Sequence, residues 1–501
     1  MKSYILALDQ GSTSSRAVLF NLKGEIIRIA QQPIRQIAPN LGWVEYDPME
    51  IWGTQLGIVR EVLDSAGVSP DSIACIGIAN QRETCVVWNR ETGKPIYNAI
   101  SWQCRRTVEM SDAIKRSELS KYVHENTGLI ADAYFSGTKL KWILDNVPEA
   151  QAMAEEGLLA FGTIDTWLLW KLTHGECHFT DCSNASRTML FNISTMTWDE
   201  TILEALKIPR SLLPEVLNSN DLFGKTHESM FGGAKIPISA MAGDQQAALF
   251  GQGANRIGDA KVTYENGCFL LMNIGSQMML SSHGLLTTIA WRLNGKVTYA
   301  LEGSVFMGGA VLRWLQDDLK LLSDMRDSAY FGGLVKDTGG VYFVPAFTGL
   351  GAPHWDMDAR GVMLGMTRGT NKNHIIRAGI EAIAYQVADV FDAMKEDSAI
   401  EMETLKTDGQ FAENDLLMQI QSDVLGIPVE RDEFSEMTAF GIARMAGLSI
   451  GVWQDSISNR KIIHPNPVRG RMFFPVVEES VREYNRAMWK KAVERAKRWA
   501  V

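Results

Sequence analysis

The chain has 501 residues, 46% hydrophobic and 22% charged, the balance of a globular protein and too much chain for one ordinary core, so two domains are expected. A formal net charge of -10 argues against a broad nucleic-acid-binding face and suits small neutral ligands, or anions held in a local pocket. No apolar run spans a bilayer, the N-terminus lacks a signal-peptide pattern, and six cysteines stand singly with no Cys-x-x-Cys pair, which argues against a zinc site or disulfide framework and for a cytoplasmic protein.

The opening residues predict a β-hairpin. Two apolar strands at 4–8 and 16–20 flank the turn Asp9-Gln10-Gly11-Ser12-Thr13-Ser14. Such a Gly/Ser/Thr turn gathers backbone N–H and hydroxyl donors at one spot, which suits a phosphate, and Asp9 at the strand end suits Mg²⁺. Taken alone, the motif is an ordinary hairpin. A helical pattern follows at 49–63. A buried strand at 71–78 then delivers Asn80-Gln81-Arg82-Glu83-Thr84, where an adjacent Arg and Glu offer the donors and acceptors a small polyhydroxy ligand needs. A surface ion pair is the plainer reading of the same two residues. Trp102, Tyr134 and Phe269 are candidate apolar walls, and another helix is expected at 136–146.

Alternating strands and helices argue an α/β core. In Met241-Ala242-Gly243-Asp244-Gln245-Gln246, Asp244 precedes a helical run. It reads either as a helix cap or as a general base that takes a proton from an attacking hydroxyl. After Gly251-Gln252-Gly253 a second strand–turn–strand follows at 260–273, around Glu265-Asn266-Gly267, and repeats the shape of the opening hairpin. Asp408-Gly409-Gln410 leads into a helix at 415–425, and a basic amphipathic helix at about 480–499 closes the chain. We expect two related α/β lobes, 1–251 and 252–501, with a hinge near 245–258.

Order and spacing carry more than each motif alone. With Gly42-Trp43-Val44-Glu45-Tyr46-Asp47-Pro48, Trp102-Gln103-Cys104-Arg105-Arg106, Tyr134-Phe135-Ser136-Gly137-Thr138-Lys139, Asn184-Ala185-Ser186-Arg187-Thr188 and Pro345-Ala346-Phe347-Thr348-Gly349, these stretches resemble the FGGY family of carbohydrate kinases from end to end, and within it the glycerol kinases. The resemblance implies two actin-like ATPase (ribonuclease H-like) domains around an interdomain cleft. The N-terminal domain would carry the glycerol and phosphate/Mg²⁺ site and the C-terminal domain the nucleotide site. The implied reaction transfers the γ-phosphate of ATP to glycerol. Arg82, Glu83, Tyr134, Asp244 and Gln245 would hydrogen-bond glycerol, Trp102 and Phe269 would pack its carbons, and Asp244 would be the base. Asp9 and Asp244 would manage Mg²⁺. Ser12, Thr13, Ser14 and Arg16 would meet the phosphates, and Asn266, Gly309, Arg313, Gln410 and Asn414 would form the nucleotide side. The family suggests a homodimer or homotetramer. Gly232-Gly233-Ala234-Lys235 resembles the loop where some bacterial members bind fructose 1,6-bisphosphate, although Lys replaces an Arg that grips phosphate with two parallel bonds.

The nucleotide side departs from the family pattern. Gly-Thr-Gly becomes Glu265-Asn266-Gly267, Asp-Gly-Gly becomes Asp408-Gly409-Gln410, and a Gln becomes Arg313. A carboxylate ~4 Å from a phosphate charge costs ~4 kcal/mol at an effective dielectric of ~20. Three readings follow: a kinase with a weaker but working ATP site, a glycerol-binding pseudokinase, or a kinase with another phosphoryl donor.

Overall fold

The computed structural model describes residues 2–432, 434, 436–453 and 470–500. Strand β1 (Tyr4–Gln10) turns back into β2 (Ser14–Asn21), and β3 (Ile26–Pro33) adds antiparallel beyond it. β4 (Ile73–Asn80) joins the other side of β1 in parallel. The short β5 (Gly224–Lys225) and then β6 (Pro237–Gly243) complete a six-stranded sheet in the order β5-β6-β4-β1-β2-β3. The predicted opening hairpin is present, and the strand expected at 71–78 lies two residues later.

Ile5, Leu6, Ala7 and Leu8 are all buried because both faces of β1 are covered. Leu6 and Leu8 pack with Ile76 and Ile78 against helix α1 (Pro48–Ala66), while Ile5 and Ala7 join a different core, as the two-residue strand period dictates. α1 starts where Asp47 accepts the Met49 N–H with Pro48 in the first turn, and it stops at Gly67, whose φ of 63° suits glycine.

The second half repeats the plan. β7 (Ala260–Tyr264), β8 (Cys268–Gly275), β9 (Leu286–Leu293), β10 (Lys296–Val305), β11 (Leu405–Asp408), β12 (Val429–Arg431) and β13 (Arg471–Phe473) form a sheet in the order β9-β10-β8-β7-β11-β12-β13. Within it β10-β8-β7 are antiparallel and β11 and β12 join in parallel. This is the arrangement β3-β2-β1-β4-β6 over again, so the chain carries two actin-like α/β lobes. The helices expected at 136–146 and 415–425 are Ser136–Asn146 and Asp415–Leu425, and the last helix runs Glu479–Ala496.

The lobes meet across helices α2 (Asp244–Gly251) and α3 (Met437–Ser449). The core between the sheets combines Ile5, Ala7 and Ala240 from the first sheet, Leu271 and Ala300 from the second, and Leu249, Phe250, Phe440 and Ile442 from the two helices. Glycines allow the crossing: a Cβ on Gly441 would stand 1.8 Å from Ala247 O, and one on Gly251 2.2 Å from Met437 O. The stretch anticipated as a hinge thus begins as a helix locked in the interlobe core. Among the described residues, no helix is long and apolar enough to cross a membrane.

Candidate active site

A cleft of about 520 Å³ opens between the lobes, where the C-terminal ends of β1, β4, β6, β7 and β11 converge. Of the residues singled out from sequence, Asp9, Ser12, Thr13, Ser14, Arg16, Arg82, Glu83, Trp102, Tyr134, Asp244, Gln245, Asn266, Phe269 and Gln410 all line it.

One end is a pocket with aromatic walls and a charged floor. Trp102 meets Tyr134 and Phe269 edge-on, at ring separations of 5.7 and 5.9 Å. Arg82 and Glu83 follow β4, whose end is pinned by a reciprocal amide pair between Asn80 and Asn184 at 2.9 and 3.0 Å. Glu83 has φ 61°, a left-handed turn, and its carbonyl accepts from Ser136 Oγ at 3.0 Å and Lys139 Nζ at 3.3 Å. Asp244 opens α2, and the Gln245 N–H donates to its Oδ1 at 2.7 Å. The Arg82 Nε lies 3.5 Å from that oxygen. Although Asp244 shows part of its surface to the cleft, protein encloses it, and burial raises its pKa against the pull of Arg82, the Gln245 amide and Lys261. A carboxylate that gains affinity for a proton while facing a pocket is suited to general-base work.

Beside this pocket lies the opening turn. The Gly11 N–H donates to Ser14 O at 3.0 Å, and the Tyr46 hydroxyl to Ser12 O at 2.9 Å. The Trp102 indole N–H donates to Ser12 Oγ at 2.8 Å, which ties the aromatic wall to the turn. Burial lifts the Asp9 carboxyl to about 7; Arg16 opposes the shift, and Asp244, Glu436 and Glu265 add to it. Asp9, whose proton affinity the Asp244 carboxylate raises, makes with it a pair of oxygen donors that a hard divalent cation would suit. Arg16 reaches across the cleft and grips both oxygens of Glu436 at 2.9 Å.

The far end holds the departures. The Gly309 N–H donates to Glu265 O at 2.8 Å and the Gly308 N–H to Asn266 O at 2.7 Å, so this turn seats the helix Ala310–Asp317. Gly409, with φ 90° and the Tyr264 backbone 2.5 Å from where a Cβ would lie, must be glycine. Glu265 Oε1 accepts the Gln410 N–H at 3.0 Å. Enclosure between the turns raises its pKa, and the Gln410 amide, Arg16 and Arg313 oppose that rise. One oxygen of the carboxylate therefore joins the two turns, with positive charge nearby, while the side chain remains exposed and lines the cleft. The expectation that these changes impair the nucleotide site is not borne out.

Gly309, Arg313 and Asn414 do not line the cleft. Gly309 lies under the Phe411 ring, 2.0 Å from where a Cβ would be, and Arg313 is exposed. Asn414 caps the helix Asp415–Leu425 by accepting the Leu417 N–H at 3.0 Å and donates to Ser328 Oγ at 3.0 Å. In the loop at Gly232 and Gly233, Lys235 pairs with exposed Glu228 at 3.4 Å.

Sequence reasoning missed the second lobe's charged side chains behind the pocket, Lys261 and Glu302, and Glu436 facing Arg16. Lys261 and Glu302 each interrupt an apolar strand, in Ala260-Lys261-Val262 and Leu301-Glu302-Gly303. A lone charge in a buried strand must be paired, and that was the available signal.

The FGGY family of carbohydrate kinases matches this chain twice, its N-terminal domain over residues 4–251 and its C-terminal domain over 260–450. A glycerol kinase of Alkaliphilus metalliredigens is 55% identical over 501 residues, covering 100% of this chain and 99% of the relative. One of Treponema denticola is 56% identical over 500 residues, covering 100% of each. Among solved structures, the glycerol kinase of Plasmodium falciparum with ADP superposes with a TM-score of 0.91 at 36% identity, covering 98% of each chain.

Proposed function

The chain belongs to the FGGY family of carbohydrate kinases, and from that premise we propose that it transfers the γ-phosphoryl group of ATP to glycerol, giving sn-glycerol 3-phosphate and ADP. The observation that carries this reading is the position of Asp244, at the junction of the aromatic-walled pocket and the Gly/Ser/Thr turn in one interlobe cleft. Relatives at about 55% identity along the whole chain support a kinase over a pseudokinase.

In this reading Arg82, Glu83, Tyr134, Asp244 and Gln245 hydrogen-bond the three hydroxyls, and Trp102 and Phe269 cover the carbons. Asp244 takes the proton from the terminal hydroxyl as that oxygen bonds to the γ-phosphorus and the bridging oxygen leaves with ADP. Ser12, Thr13, Ser14 and Arg16 meet the polyphosphate, which requires Arg16 to exchange Glu436 for phosphate oxygens. Asn266 and Gln410 face the nucleotide directly. Gly309, Arg313 and Asn414 act by shaping the two turns behind it. Asp9 and Asp244 would hold Mg²⁺, which when bound neutralises charge on the phosphate oxygens. Enclosing the acceptor between the lobes keeps water from competing for the phosphoryl group. Six free cysteines and the use of ATP support a cytoplasmic setting, and assembly as a homodimer or homotetramer belongs to the same reading.

Glycerol 3-phosphate formation from glycerol and MgATP tests it. Asp244→Asn should cut turnover by about 10²–10⁴-fold while glycerol binding persists. An Asp244→Asn protein with most of its turnover left would remove Asp244 from the role of base.

A further inference from the structure

Arg82 follows a strand of the first lobe, yet its closest partner belongs to the second. Its Nη1 donates to Glu302 Oε2 at 2.5 Å and its Nη2 to Glu302 Oε1 at 2.8 Å. Two parallel bonds fix the plane of the guanidinium as well as its place. Arg187 Nη2 also donates to Glu302 Oε1 at 3.0 Å, and Arg187 Nε holds Glu83 at 2.6 Å. These two arginines and two glutamates are buried and balanced in charge. Burial alone would raise the Glu302 carboxyl, but Arg187 and Arg82 hold it at about 2.

Glu302 does not line the cleft, whereas Arg82 does. With both Nη groups committed, Arg82 turns its Nε edge toward Asp244 at 3.5 Å and Glu83 at 3.9 Å. The second lobe makes another contact of the same kind. Buried Lys261 on β7 donates to Gln245 Oε1 at 2.5 Å and to Thr263 Oγ1 at 2.6 Å. Two side chains of the acceptor pocket, Arg82 and Gln245, are thus oriented by charges from the opposite lobe.

We propose that Glu302 is a positioning residue through which the second lobe aims Arg82 at the acceptor, so that the acceptor pocket takes its working form only when the lobes are together. This rests on the glycerol kinase reading above. Without the Glu302 charge, Arg82 has Asp244 and Glu83 within reach and can fold onto either, leaving the acceptor hydroxyl it would otherwise bind.

The test is initial rates over a glycerol series at saturating MgATP, and over a MgATP series at saturating glycerol. Glu302→Gln should raise the KM for glycerol about tenfold or more and leave that for MgATP within about twofold. Glu302→Asp, which keeps the charge on a shorter arm, should raise it about threefold. In an Arg82→Met background, Glu302→Gln should add less than about twofold, because both residues act through one contact. That double variant leaves the Arg187–Glu83 pair balanced, so it and Glu302→Asp decide the matter should Glu302→Gln alone not fold. A residue that only supports the fold would lower the amount of active protein and leave both KM values in place. Unchanged glycerol KM in the folded variants, or equal rises in both KM values, overturns the proposal. A wild-type protein that forms no glycerol 3-phosphate overturns the underlying reading and this inference with it.

Discussion

Replacing Gly441 by alanine tests whether the close crossing of α2 and α3 holds the lobes together. The new methyl would lie 1.8 Å from Ala247 O and 2.7 Å from Ala247 C. Both are backbone atoms of a helix packed between two sheets, so no side chain can swing aside. Relief requires the helices to separate by roughly 1 Å, which loosens dispersion contacts along the interlobe core. Overpacking of this kind costs about 1–3 kcal/mol and occasionally more, and a clash with fixed backbone belongs at the upper end. The same substitution at Gly53, exposed in mid-α1, meets nothing within 4 Å. There alanine should stabilise by about 0.5–1 kcal/mol, because glycine loses more backbone freedom on folding. Urea unfolding of the two variants should therefore bracket the wild type from opposite sides. Because Asp244 opens α2, Gly441→Ala should also depress glycerol phosphorylation, and Gly53→Ala should not. A Gly441→Ala protein within about 0.5 kcal/mol of wild type would refute the packing argument.

Two further outcomes are expected. His178 donates Nε2–H to Phe161 O at 2.8 Å and accepts from Arg90 at Nδ1 (3.2 Å), so it is neutral, and burial lowers its pKa to about 4. The unfolded chain takes up the proton near pH 6.5 and the folded one does not. Stability is therefore intact above pH 6.5 and falls by up to about 3 kcal/mol as the pH drops toward 4. Melting curves from pH 7 to 4.5 should show a smaller drop for His178→Gln than for wild type; equal drops would count against the assignment. Asn184→Ala leaves the wholly buried Asn80 Oδ1 without the Asn184 donor, while Asn80 Nδ2 keeps Gln81 O, and should cost about 1–3 kcal/mol. Since Asn80 precedes Arg82 and Glu83, that variant should also bind glycerol more weakly, and calorimetric titration with glycerol would expose an unaltered affinity.

The strands and turns that carry the site were legible because their signals are local. The hairpin around Gly11, the strand delivering Arg82 and the acid opening α2 each announce themselves within a dozen residues. Their side chains sit at strand ends and point into the cleft, so residue type and function coincide. The same holds for the aromatic walls, Trp102, Tyr134 and Phe269. The interlobe helix at 244–251 was less legible. Asp244-Gln245-Gln246-Ala247-Ala248-Leu249 reads as a helix start, but the glycines that follow read as a hinge, and only the neighbouring α3 explains why Gly251 must lack a side chain.

What the sequence hides is pairing over distance. Arg82 and Glu302 are 220 residues apart and Glu265 and Gln410 are 145 apart. A charge read alone counts as a cost, since removing it from water is expensive. Whether it stabilises depends on a partner that no local spacing reveals. From sequence, Glu265 sets a carboxylate beside polyphosphate, with Arg313 the candidate to pair with it or neutralise it. In the fold, the Gln410 amide meets it from another turn, while Arg16 and Arg313 lie close enough to offset its charge. Glu302 announces locally only that it needs a partner, not which one, and two arginines of the opposite lobe converge on it. In a two-lobed kinase, charges that orient the acceptor pocket can thus come from the lobe that supplies only Phe269 to its aromatic walls. A change at such a position would alter acceptor affinity without altering any residue that touches the acceptor.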